Sequence, residues 1–199
     1  MSVVIPFNRH RRHTAPPLLF VEMFDYQLHG PDAYRAEDVR VPLTNCALLL
    51  EHARTRDWPV GFIFATPQDG RKIASPLPWI DGFQPRRADM IFEMDGDSGY
   101  DSAEFSDAIT TAGDSFLLAG FSGECICLST LIDAASDQHC AALIHDATCV
   151  RQMRGLDMPE SHQALAAIAR NYATILTTQE WIRSGGTLST SREPNYDRK

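Results

Sequence analysis

Apolar residues along this chain fall into two kinds of pattern: short unbroken runs, and longer stretches with an apolar residue at every third or fourth position. The runs are Leu18–Met23, Pro59–Ala65, Asp89–Met94, Ser115–Ala119, Cys140–His145 and Ala173–Leu176. Each is short and bounded by turn-forming residues, which predicts strands. Asn45–Arg56 places Cys46, Leu49, Leu50 and Ala53 at helical spacing, which predicts a helix with one buried face. Ser102–Ala112 and Glu124–Ser136 read as helices too. Pro159–Tyr172 opens with proline in its first turn and carries Leu165, Ile168 and Ala169 on one side. Strands that are apolar throughout, separated by helices, predict a mostly parallel, Rossmann-like six-stranded sheet with helices on both faces, a three-layer αβα sandwich. In such sheets ligands bind at the carboxyl ends of the strands, where the strand order switches.

The ends of the chain break the pattern. Residues 1–16 read as an extended arm with a basic cluster, Arg9-His-Arg-Arg-His13, stopped by Pro16-Pro17. A solvated tail or a strap across a neighbouring subunit suits it better than an acidic partner. Residues 17–183 form the expected domain, and the polar, Gly- and Ser-rich stretch 184–199 reads as a flexible tail.

A length of 199 residues suits one domain with a sizeable core, and 44% hydrophobic with 22% charged residues excludes wholesale disorder. The formal charge of -8 argues against nucleic-acid binding by the folded body. No apolar run approaches the ~20 residues of a membrane span, and the start lacks a secretion signal. The cysteines Cys46, Cys125, Cys127, Cys140 and Cys149 are odd in number and lie in apolar contexts, as reduced thiols of a cytoplasmic protein would. The C-x-C pair at 125 and 127 lacks a second ligand cluster at metal spacing, so no metal or other cofactor is expected.

Three strand ends should converge on the crevice: Glu22 to Asp25, the end of Asp89–Met94, and the glycine turn at 120–127. An acid (Glu22) near thiols (Cys125, Cys127), with backbone N–H groups at a helix start, suits nucleophilic acyl transfer. A carboxylate at a strand and a cysteine on a helix also serve as packing elements, and these residues leave both readings open.

Three segments carry a resemblance. They are Leu18-Leu-Phe-Val-Glu-Met-Phe-Asp-Tyr26, Ile91-Phe-Glu-Met-Asp-Gly-Asp-Ser-Gly-Tyr100, and Gly120 to Ala134 followed by His145-Asp-Ala147. In order and spacing they resemble the isochorismatase-like cysteine hydrolases over most of 18–182. In that family an aspartate serves as general acid or base, a lysine steadies developing charge, and a cysteine attacks a carbonyl. The resemblance places the aspartate at Glu22, the lysine at Met94 and the cysteine at Ile126. The glutamine after the aspartate becomes Phe24, the threonine of the glycine turn becomes Gly123, and the oxyanion hole falls around Phe121-Ser122. Frame residues persist: Asp25, Ser98, Gly120, Thr130, Asp133, Asp146 and Ala147.

Glu22 is longer by one methylene, and a misplacement of ~1 Å can cost ~100-fold in rate. A one-residue slip along a helix turns a side chain by about 100°, so neither Cys125 nor Cys127 should point where Ile126 does. Lys72 and Lys199 are the only lysines, and Lys72, in the loop after the second strand, could swing into the crevice in place of the missing cation. Asp95, Asp97 and Asp101, with Glu22 and Asp25, could form a metal-binding mouth, although a solvated acidic loop is preferred. The zinc-binding relatives need histidines, and Thr66-Pro-Gln-Asp69 has none.

The expectation is therefore a divergent member without the family's triad. It would act as a non-hydrolytic binding or assembly subunit, with a small-molecule pocket lined by Glu22, Phe24, Met94, Phe121, Ser122 and Ile126. The alternative is an atypical hydrolase of a small amide or vinyl ether with Glu22 as general acid or base. The resemblance also implies a homo-oligomer, a dimer or tetramer, with no nucleic-acid or membrane partner.

Overall fold

The computed structural model describes residues 15–65 and 77–188. Six strands, β1 (Leu18–Val21), β2 (Val60–Ala65), β3 (Met90–Met94), β4 (Ser115–Gly120), β5 (Cys140–Thr148) and β6 (Thr174–Leu176), form one sheet in the order β3-β2-β1-β4-β5-β6. Every pairing is parallel. The chain leaves β1 toward β2 on one side and returns to β4 on the other, so the switch point lies between β1 and β4. Val21 pairs with both Ile63 and Gly120, which makes Glu22 and Phe121 emerge from adjacent strand ends.

Alternate strand residues feed two cores, as the pleat requires. Leu18, Phe20, Phe62, Leu117, Ala119 and Ile144 pack on the face covered by α2 (Ala36–Thr55) and α6 (Thr178–Arg183). Leu19, Val21, Ile63, Phe92, Phe116 and Leu143 pack on the face covered by α3 (Phe105–Thr111), α4 (Leu128–Ser136) and α5 (Met158–Ala169). A four-residue turn of helix, α1 (Tyr26–His29), follows β1.

Several elements differ from the sequence expectation. α2 begins nine residues before Asn45 and runs through Pro42. Proline inside a helix costs ~3 kcal/mol. Here the ring is buried in line with Val39, Cys46, Leu49, Leu50 and Ala53, and Glu37 and Asp38 in the first turn favour the helix dipole. Packing against the sheet outweighs the missing hydrogen bond. β1 stops at Val21 because Glu22 adopts φ 55, a left-handed conformation that turns its side chain out of the strand alternation. The stretch 124–136 divides into a π-helical turn, Gly123–Cys127, and α4. β5 reaches Thr148 through an irregularity opposite Leu118 and Gly120.

The frame residues hold the strand ends in place. A Cβ on Gly120 (φ 112) would lie 2.5 Å from the Val21 carbonyl oxygen, so the β1–β4 approach requires glycine. Thr130 Oγ1 donates to Ile126 O (2.7 Å) and accepts from Gly99 N–H (2.8 Å), tying the reactive corner to the turn after β3. Asp146 Oδ1 accepts from both Thr178 N–H (2.7 Å) and its hydroxyl (2.9 Å), capping α6. Asn45 and Cys46 of α2 donate to the carbonyls of Asp146 and Ala147. Ser98 and Asp101 form a reciprocal capping box, so that carboxylate has a structural task. Residues 1–14, including the basic cluster, lie outside the described residues. Of the expected tail, Leu188 packs on the α2-side core and Gly186 lies against Trp58.

Candidate functional site

The crevice is read from the three strand ends upward. Glu22 is 3% exposed, and its N–H donates to Ile63 O (2.9 Å). Its carboxylate is enclosed by donors. Oε1 accepts from Ala65 N–H (2.7 Å), at the end of β2. Oε2 accepts from Gln27 Nε2 (3.2 Å) and from the Tyr26 hydroxyl, both on α1. Burial raises the Glu22 pKa above the ordinary carboxylate value, and the bonds from Tyr26, Ala65 and Gln27 oppose that rise. Burial and the neighbouring carboxylate raise the Tyr26 pKa as well. Tyr26 and Gln27 were missed in the sequence. The signal was available as donors four and five residues after an acid, within one helical turn.

Met94, at the end of β3, is 1% exposed and belongs to the same apolar cluster as Ile126 and Cys127. Ile126 is 6% exposed, against the α4 side of the sheet. Its two cysteine neighbours differ in exposure. Cys127 is buried and its thiol lies 3.5 Å from Phe121 O, whereas Cys125 is exposed. Burial pushes the Cys127 thiol well up; burial, Asp97 and Glu124 push the Cys125 thiol up. Neither thiol sits in the electropositive setting that makes a thiolate.

The expected lining residues pack with different parts of the core. Phe24 is buried under Trp79 (ring centroids 4.4 Å apart) and edge-on to Phe64, where segment 78–80 runs beside 23–25. Phe121 belongs to the α2-side core, whereas Met94 and Ile126 belong to the opposite one. Lys72 and the segment Thr66–Asp69 lie outside the described residues. Among the described residues, no group of three or more metal-type side chains is close enough to hold an ion.

On the β4–β5 side, Ser122 (φ 57) is left-handed, and its N–H donates to the Tyr34 hydroxyl (3.1 Å). Tyr34 packs edge-on to Phe121 (5.1 Å). The guanidinium of Arg151, just past β5, lies over the Tyr34 ring, 4.1 Å from its centroid. The Arg151 N–H donates to Glu124 Oε2 (3.1 Å). Tyr34 and Arg151 had no sequence signal, since one precedes α2 and the other lies far along the chain.

The described residues thus define a parallel α/β protein whose strand order switches between β1 and β4. The isochorismatase domain matches residues 18–180, and the chain belongs to that family. Solved structures agree on the fold. An N-carbamoylsarcosine amidase from Thermoplasma acidophilum is 21% identical, with a TM-score of 0.68 over 84% of this chain and 98% of that one. An isochorismatase from Pseudomonas putida KT2440 is 18% identical, with a TM-score of 0.72 over 90% and 98%. A cysteine hydrolase from Pseudomonas syringae pv. phaseolicola is 15% identical, with a TM-score of 0.74 over 92% and 96%. A search of curated protein sequences finds no match. No described helix is long and apolar enough to cross a membrane.

Proposed function

We propose that this isochorismatase-family chain is a non-hydrolytic binding or assembly subunit, one that does not perform cysteine hydrolysis. The observation that carries this reading is the corner at Ile126. An unreactive side chain is buried there with Met94, and the thiols on either side are both held toward their protonated forms. The Glu22 carboxylate supports the same reading, because its two oxygens already receive three donors from the protein. A base must be free to take a proton from substrate or nucleophile. In this reading the crevice binds a small molecule and the chain assembles with copies of itself as a dimer or tetramer. The exposed Val41 and Leu48 of α2 and Ile132 of α4 supply apolar surface for that assembly.

The test incubates the purified chain with a panel of amides, ureas and vinyl ethers. No turnover is expected. Turnover abolished by Glu22→Gln would overturn the proposal and establish the second reading, a nucleophile-free hydrolase with Glu22 as general acid. One observation favours that alternative: burial holds the Glu22 carboxyl toward its protonated form, as an acid catalyst requires.

A further inference from the structure

We infer that α2 is a two-fold interface between copies of this chain, in which Arg40 of each subunit enters a groove beside Glu51 of the other. This deepens the assembly reading and rests on it for the existence of an oligomer, but not on the loss of hydrolysis.

Five large hydrophobic side chains are exposed among the described residues: Val41, Leu48, Ile91, Ile132 and Ile168. Only Val41 (54% exposed) and Leu48 (43%) share an element, and they lie about two turns apart on one side of α2. Thr44 and Ala47, both exposed, fill the stripe between them. These short side chains let a second helix approach the middle of the stripe closely.

The two ends of the stripe carry opposite charge. Arg40 stands before Val41, and Glu51 follows Leu48. Both are exposed, and neither forms an ion pair among the described residues. Beside Glu51, a groove of about 370 Å³ runs between α2 and the segment 81–86, lined by Ala47, Leu50, Glu51, Arg54, Asp81 and Arg86 among others. Arg54 is already committed to Asp89 (3.0 Å) and to the Gln84 carbonyl (3.2 Å). That leaves Glu51 and Asp81 against Arg86, a balance that favours an entering cation. Ala47 and the buried Leu50 suit the aliphatic stem of an arginine.

A two-fold axis makes every contact reciprocal, so the surface it joins must be complementary to itself. With two α2 helices antiparallel about a centre between Thr44 and Asn45, Val41 meets Leu48 of the partner subunit and Leu48 meets Val41 of the partner subunit. The charged pair centres one residue further on, an axial offset of ~3 Å that an arginine side chain spans. One register therefore makes both apolar pairs and both Arg40–Glu51 pairs. Docking of a different protein would not require a base and an acid on opposite sides of one apolar pair. Self-association does require it.

The test measures self-association of the full chain by analytical ultracentrifugation, and a dimer or tetramer is expected. Arg40→Glu and Glu51→Arg should each weaken association by about tenfold or more, since each sets like charges together at two symmetry-related places. The double variant should recover most of that loss, because the two charges are exchanged and the pair is kept. Leu48→Asp, which sets a carboxylate against Val41 of the partner subunit, should dissociate the α2 contact. These side chains are exposed, so the fold should survive their replacement, and circular dichroism checks it. Leu48→Asp carries the comparison if a charge-reversed variant does not fold. A monomeric unaltered chain would overturn the inference and the assembly reading together. An oligomer indifferent to these substitutions, or single variants that the double variant fails to rescue, would overturn the inference and leave the assembly reading standing. Turnover of an amide by an assembly that still needs Arg40 and Glu51 would sink the non-hydrolytic reading alone.

Discussion

At the end of β1 the Glu22 carboxylate is buried beneath three donors, whereas just past β5 the Arg151 guanidinium lies on a tyrosine ring with its fork unengaged among the described residues. The two sides are joined at Gly120, whose backbone passes so close to Val21 that a Cβ has no room. A buried charge must be satisfied from within, because leaving it unpaired costs far more than a hydrogen bond returns. An exposed cation has no such requirement, since water can complete it. The β1 side is therefore closed by its own donors, whereas the β4–β5 side presents its cation to solvent. That division reverses what the family frame implies, in which the aspartate position supplies the chemistry.

The largest expected effect falls on the junction. Gly120→Ala should destabilise the fold by about 3 kcal/mol or more, through a strained positive φ and a clash with Val21, read as a drop in the urea midpoint. A loss below about 1 kcal/mol would mean that the strand ends are free to part.

Next comes Glu22→Ala, which leaves the donors from Ala65, Tyr26 and Gln27 without their acceptor. A cost of about 2–3 kcal/mol is expected by chemical denaturation, from buried groups left unsatisfied. A near-neutral result would remove the stabilising role given to this side.

The pH dependence sharpens the same point. The folded chain holds a proton on Glu22 to higher pH than the ordinary value of 4.5, so between that value and the raised one it binds more protons than the unfolded chain. Stability from this group is thus complete below 4.5 and is lost as pH rises through the folded value. Glu22→Gln has no such titration. Its melting temperature should gain on the unaltered chain as pH rises across that window, and a pH-independent difference would contradict the burial penalty.

The smallest effect belongs to the other side. Arg151→Gln should cost about 1 kcal/mol or less in stability, the size of an exposed cation–π contact. A loss as large as that of Glu22→Ala would show that Arg151 is a structural strut and would erase the contrast.

Much of the architecture was legible in the chain. Unbroken apolar runs such as Leu117-Leu118 and Leu143-Ile144 mark strands covered on both faces, because only burial on both sides removes the polar alternation. Helical rotation also explains why Cys125 and Cys127 are not buried alike, the first being exposed and the second buried. The start of α2 was not legible, since Pro42 reads as a breaker until its ring is seen against the sheet. That Phe121 packs with the α2-side core while Met94 packs with the opposite one was not legible either, because nearness to one edge of the sheet does not say which face a residue leaves toward.

The order of residues alone determined an α/β chain of this family; isoleucine at its nucleophile position and methionine at its cation position are what the resemblance implies. The tertiary structure alone decided that Glu22 is closed off by Tyr26, Gln27 and the Ala65 N–H, and that Tyr34 carries Arg151 at the mouth. Periodicity records which side chains avoid water. The partner that satisfies a given charge depends on contacts between elements distant in sequence, and those exist only once the sheet has brought the strand ends together.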